Sequence, residues 1–291
     1  MSETTNIAWA DSTFNPWIGC TKVGPGCEGC YAEALMDRRM GRVKWGAGEK
    51  RQRTSAAYWR QPLAWNRKAR ESGKPWRVFC GSLCDVFDNE VPDEWRNDLW
   101  ELVLSTPHLT WTLLTKRVGN VRAMLPWGDD AECPAPPNVW IGATVVNQEE
   151  ADRDIPKLLQ VPEAVRFLSI EPMLGPIDLA RACSNLRWKG LDGVECCGVT
   201  RLLDWAIVGG ESDQPGHKAR PFDIAWARDI VRQCKAAGVA AFVKQLGSRA
   251  RWPDLPPASW APLRYGLVLK DRAGADPSEW PEDLRVREFP R

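Results

Sequence analysis

Three cysteines near the N-terminus, Cys20, Cys27 and Cys30, are spaced C-x6-C-x2-C. Gly24, Pro25, Gly26 and Gly29 stand between them, so the segment from Gly19 to Tyr31 can close into a tight loop with little side-chain obstruction. Three thiolates on one loop point to a metal centre. With no obvious fourth ligand, they suit a four-iron cluster whose last iron stays open. An open iron can take the amino and carboxylate groups of a small ligand. Zinc is the competing chemistry, but a structural zinc site takes four ligands, and the next cysteines, Cys80 and Cys84, lie far along the chain. Unligated thiols are the third reading.

The composition sets the context for these thiols. The chain has 291 residues, 44% hydrophobic and 26% charged, with a net charge of +1. That is ordinary for a soluble globular protein and close to the size of one α/β barrel. Ten cysteines accompany an N-terminus without a charged-then-apolar leader, and no stretch approaches the roughly 20 apolar residues of a membrane span. The expected compartment is therefore the cytoplasm, where thiols stay reduced and clustered cysteines serve metals or catalysis. The near-zero charge argues against a bulk polyanion binder and leaves a local basic groove open. The seventeen tryptophans read mainly as core aromatics, with base stacking open for a few.

Short apolar runs alternate with amphipathic stretches. Strands are expected at Phe14 to Gly19, Arg77 to Gly81, Leu109 to Thr115, Asn138 to Val145, Val165 to Ile170, Trp205 to Gly209 and Val239 to Lys244. Helices are expected from an Asp93 cap to Ser105, near Asn120 to Leu125, from Gln148 to Leu159, and from Asp223 to Ala237 before Gly238. Strands joined by helical crossovers imply a parallel sheet, hence an α/β fold: a full or partial (β/α) TIM-like barrel with an N-terminal cluster-binding loop at 19–31. The barrel is assigned to residues 1–250, with an insertion at about 183–203 and a tail over 251–291 packing on it.

Polar groups gather where the strands end, the face on which a parallel barrel builds its active site. They include Ser82, Asp85, Lys116, Arg117, Thr144, Asn147, Glu171, Glu211 and Lys244. Lys116, Arg117, Glu171, Glu211 and Lys244 are expected to face the mouth, and Lys244, ending an apolar strand, needs an anionic partner. Cys84 could return a hydrogen atom to a product radical. Helix capping is the simpler account of Thr144 and Asn147, and salt bridging of some of the charges. The run Glu49-Lys50-Arg51-Gln52-Arg53 and the following segment 55–70 mix cations and aromatics, as nucleic-acid surfaces and ordinary solvated segments both do.

The phrases WADSTFNPWIGCTKVGPGCEGCYAE (Trp9 to Glu33), CGSLCDVFDNEVPDEW (Cys80 to Trp95), LLTKR, NVWIGATVVNQ, RFLSIEPMLGPIDL, WAIVGGESD and FVKQLG resemble the phage three-cysteine-motif family of radical S-adenosylmethionine proteins. The resemblance spans residues 9 to about 247. It implies a barrel of the radical S-adenosylmethionine type, a [4Fe–4S] cluster on Cys20, Cys27 and Cys30, and S-adenosyl-L-methionine near Gly81 and Ser82; Tyr31, Thr144, Asn147 and Glu171 are further candidates for that ligand by their positions. It also implies reductive cleavage to a 5′-deoxyadenosyl radical that abstracts a substrate hydrogen, and a low-potential electron donor of flavodoxin or ferredoxin type; by their positions at strand ends, Cys84, Lys116, Glu211 and Lys244 are the candidate catalytic residues. The chain departs from the common C-x3-C-x2-C spacing, and Tyr31 follows the last cysteine where an aromatic residue usually precedes it. The expected substrate is a thymidine base or nucleotide, in phage DNA or free, modified or isomerised in a host cytoplasm. A lesion-splitting lyase, a peptide- or metabolite-modifying enzyme and a zinc-stabilised binding module are the alternatives.

Overall fold

Seven strands carry the architecture: Ser12–Phe14 (β1), Trp76–Cys80 (β2), Leu109–Thr115 (β3), Val139–Thr144 (β4), Val165–Ile170 (β5), Trp205–Gly209 (β6) and Ala240–Gln245 (β7). In the computed structural model they form one sheet in chain order. The structure describes residues 5–128, 134–162, 165–183, 188–189, 195–196, 203–252 and 269–290. β1 with β2, β2 with β3, β3 with β4, β5 with β6, and β6 with β7 all pair parallel. Crossovers run through the helices Gln61–Ser72 (α1), Asp93–Leu104 (α2), Gln148–Leu158 (α3) and Ile224–Ala237 (α4). This is a mixed α/β fold consistent with a partial (β/α) barrel. The strands are nearly continuous apolar runs because both faces are covered; every residue of β6 is buried.

The chain divides into two compact units. The first holds Met1–Ala143 with Gln160–Arg166, the second Thr144–Leu159 with Phe167–Arg291. In the first, Trp111 of β3 is fully buried and its indole donates to Thr106 at 3.0 Å. In the second, the C-terminal segment runs along the outer side of β7. Val243 N–H donates to Val286 O at 2.8 Å and Glu288 N–H to Ala241 O at 2.9 Å, so backbone groups of a sheet edge find partners. Among the described residues no helix is long and apolar enough to cross a membrane.

Most expected elements are present, with three corrections. The first strand is Ser12–Phe14, earlier than Phe14 to Gly19. Beyond it, Trp17–Ile18 pairs antiparallel with Gln52–Arg53 outside the main sheet, while Asn15 turns its side chain to Ser82 and to Leu83 N–H. Asp93 is not the cap of α2; Pro92 is, and Asp93 lies in the first turn, where it pairs with Arg96 at 2.6 Å. The segment 55–70 is largely helical. Ser55 caps Ala56–Trp59 by accepting from Tyr58 N–H, and α1 buries Pro62, Trp65 and Ala69 before Gly73 ends it at φ 64°. The proposed insertion at 183–203 and residues 253–268 of the tail lie largely outside the described residues.

Candidate metal centre

The cysteine loop belongs to the first unit. Gly19 enters it at φ 114°, and a Cβ there would come within 3.1 Å of Arg51 Cδ, so the position needs glycine. Gly19 N–H donates to Leu83 O at 3.1 Å and bridges Cys84, which places Cys20 beside the segment that follows β2. Pro25–Cys27 forms one 3-10 turn. Cys30 precedes the helical stretch Tyr31–Glu33, which continues through Ala34–Arg39. Ile18, Ala32, Met36, Val43 and Leu83 form an apolar floor on which Cys30 and Trp45 pack. The loop is thus held by packing on one side and by hydrogen bonds on the other.

The hydrogen-bonding side is a buried charge network. Arg51 and Asp88 have side chains only 1% exposed and meet at 2.8 Å. Arg51 also reaches Glu90 at 2.9 Å, Thr21 Oγ1 at 2.8 Å and the carbonyls of Gly46 and Glu49. Arg117, at the end of β3, donates to Thr21 O at 2.8 Å, to Asp85 at 3.2 Å and to Cys20 Sγ at 3.4 Å. Asp85 is itself fixed by Thr115 Oγ1 at 2.8 Å and by the N–H groups of Lys116 and Phe87. The network clamps Cys20 and Thr21 from two directions.

Burial pushes the Cys20 thiol up to about 12; the Asp85 carboxylate adds to this and the Arg117 guanidinium opposes it. Burial also raises Cys30, and raises Cys84 well above the ordinary thiol value. Cys20, Cys27, Cys30, Cys80 and Cys84 are all free of disulfides. In the metal-free chain Cys20, Cys30 and Cys84 are therefore protonated at neutral pH, and a metal would have to displace protons to bind sulfur. Among the described residues, no three His, Cys, Asp or Glu side chains converge tightly enough for one metal ion. Such convergence is what a single tetrahedral ion requires. Thiolates of a four-iron cluster each bind a different iron and stand further apart. Two cationic residues stand beside the thiols, Arg117 at Cys20 and Lys116 at Cys30, and their charge would suit an anionic thiolate-bound group.

Other expected site residues share this neighbourhood. Tyr31 donates its hydroxyl to Ser82 O at 2.6 Å while its ring stays exposed. Ser82 Oγ exchanges hydrogen bonds with Asn15. Gly81 adopts φ 93° with Cys84 O close by, and Lys116 follows the last residue of β3.

A family model for a protein of unknown function, DUF5131, matches residues 4–272. The chain belongs to the DUF5131 family. The matched span contains all three loop cysteines and every member of the charge network described above. No curated protein matches the chain.

Thr144, Asn147, Glu171, Glu211 and Lys244 lie in the second unit of this DUF5131 protein. Asn147 caps α3, accepting from Glu150 N–H at 2.9 Å, while Glu150 accepts from Val146 N–H. Thr144 is buried at the end of β4. Lys244 finds the anionic partner its position demands in Glu171, at 2.9 Å. Gly209 makes room for that pair, since a Cβ there would lie 2.8 Å from Glu171 Oε1. A cavity of about 570 Å³ lined by Ser212, Asp213, Ser248 and Arg272, among others, contains none of the cysteines.

Glu211 is held by Arg220, whose backbone N–H, Nε and Nη2 all donate to its carboxylate at 2.8–2.9 Å. Burial pushes Glu211 up, but Arg220 and His217 outweigh it and leave the carboxyl below its usual range. A depressed folded-state value means the ionised group stabilises the fold at pH values above the ordinary carboxylate value. That contribution is lost as pH falls through the folded-state value. Glu211→Gln should therefore have a lower urea midpoint than the parent at pH 7, and the gap should narrow on acidification below about pH 4. A gap that is constant with pH would rule out this role for the charge.

The sequence reading did not anticipate Arg51 as part of the site, or Asp88. The run around Arg51 reads equally as a nucleic-acid surface or a solvated segment, and the structure buries Arg51 with a side chain 1% exposed. A signal for Asp88 was the acidic cluster Asp85, Asp88 and Glu90 that follows an expected strand.

Proposed function

We propose that this DUF5131 protein is a radical S-adenosylmethionine enzyme, with Cys20, Cys27 and Cys30 holding a [4Fe–4S] cluster. When bound, that group supplies one-electron reductive cleavage of S-adenosylmethionine, which yields a radical able to take hydrogen from a substrate. One observation carries the reading: three disulfide-free thiols on a glycine-rich loop at the start of a parallel α/β sheet, with an arginine donating to one sulfur. The remaining roles belong to side chains in place. Arg117 and Arg51 fix Cys20 and Thr21. Tyr31 offers an exposed ring tethered at its hydroxyl, a surface for a flat ligand. Gly81 permits close approach of backbone to ligand. The half-buried Cys84 has a thiol that desolvation pushes well above the ordinary value, so it keeps its proton, as a hydrogen donor to a product radical must.

The proposed substrate is a thymidine base or nucleotide. The charge run that suggested a polymer contributes less than its sequence implies, because Arg51 is buried and Arg53 lies over Trp59 at 4.5 Å and pairs with Asp98. The test is anaerobic reconstitution with iron and sulfide, then reductant, S-adenosylmethionine and thymidine nucleotides or DNA, read by mass spectrometry. About four irons per chain, formation of 5′-deoxyadenosine, and loss of both on Cys27→Ala are expected. A colourless chain that binds zinc and leaves S-adenosylmethionine intact would refute the proposal.

A further inference from the structure

We infer that Arg117 is a positioning residue that orients Cys20 and tunes the electron affinity of whatever cluster that sulfur binds; the inference rests on the cluster reading above. Its guanidinium side chain is 8% exposed and engaged on every side. Nη1 faces both Cys20 Sγ and Asp85, Nη2 donates to Thr21 O, and Nε stands 3.9 Å from Asp88. The two carboxylates are fixed in turn, Asp85 by Thr115 and Lys116 N–H, Asp88 by Arg51. The arginine therefore cannot swing to solvent, and its N–H toward the sulfur is set before any ligand arrives.

This arrangement has a specific electronic consequence. The Cys20 thiol directs its own proton to Thr21 O at 3.5 Å. Once that proton is displaced by iron, Arg117 is the donor left facing the sulfur. A hydrogen bond to a ligand sulfur draws negative charge off it and favours the more reduced cluster. Asp85 and Asp88 offset most of the guanidinium's net charge, so the directed N–H matters more than the charge alone. Lysine would keep the charge, but its single ammonium cannot reach Cys20 Sγ, Thr21 O and Asp85 from one planar fork.

The test uses the reconstituted full chain with wild-type, Arg117→Lys and Arg117→Gln sequences. Iron content and the reduction potential, titrated by electron paramagnetic resonance, are the readouts. Both variants should retain the cluster. Arg117→Gln should shift the reduction equilibrium about tenfold toward the oxidised form, about 59 mV for one electron, and Arg117→Lys should shift it less in the same direction. Wild-type potentials in both variants would overturn the inference and leave the cluster reading intact. If Arg117→Gln fails to fold, the lysine variant decides: a more negative potential supports the role, an unchanged one overturns it. A wild-type chain that takes up no cluster refutes the underlying reading and this inference together.

Discussion

Replacing Asp88 with alanine is expected to destabilise the first unit by about 3–5 kcal/mol, the usual cost of stranding one partner of a buried ion pair. The carboxylate accepts from Arg51 Nε at 2.9 Å and Nη2 at 2.8 Å, and both side chains are 1% exposed. Without it, the Arg51 guanidinium stays buried with Glu90, itself 31% exposed, as its remaining anion. The surface pair Arg53–Asp98 makes the control. Its aspartate is 45% exposed, so Asp98→Ala should cost no more than about 1 kcal/mol. Urea unfolding of the two variants separates these cases. The double variant Arg51→Met with Asp88→Leu should recover part of the loss, because removing both charges removes the stranded one. An Asp88→Ala midpoint indistinguishable from that of Asp98→Ala would show that the network does not hold the loop.

The contrast between Arg51 and the cysteines explains how far the sequence could be read. The cysteine loop is a local pattern: thiol spacing and glycine content sit within a dozen residues, and the proposed ligand set is read from them alone. The strands are local too, since an apolar run flanked by turn residues is covered on both faces wherever it lies. Arg51 is the opposite case. Within EKRQR it looks like its solvated neighbours, and its burial comes from Asp88 and Glu90, which the fold brings to it from beyond β2. Helix α1 was obscured for a related reason. Its buried positions reduce to Pro62, Trp65 and Ala69, a thin stripe among cations that reads as a surface segment. Asn147 shows the reverse, because Asn-x-x-Glu before an amphipathic stretch is a capping signature on its own. Glu171 and Lys244 were both legible as strand-end charges, but their mutual pairing depends on Gly209 leaving space, a detail of packing between β5, β6 and β7.

Trp205→Ala should cost the second unit about 3–5 kcal/mol, and the reason is that one side chain joins its core to its C-terminus. The indole is fully buried. It packs against Phe167 at 5.6 Å, edge-on to Phe242 at 6.0 Å and against Phe289 at 5.3 Å, while its Nε1 donates to Glu288 O at 2.9 Å. Truncation removes the apolar volume and frees the segment that pairs with β7. Trp205→Phe separates the two contributions, since it keeps much of the ring packing and loses the donor. Its cost should be nearer about 1 kcal/mol from the hydrogen bond, plus a smaller packing loss. Limited proteolysis reads the second consequence directly. In the alanine variant, trypsin should cut at Arg285 or Arg287 well before the rest of the second unit, because Val286 and Glu288 lose the anchor that keeps them against the strand. If the alanine variant unfolds earlier in urea but its C-terminal segment stays as protected as in the wild type, then the backbone pairing to β7 holds that segment without help, and the tryptophan stabilises the core alone.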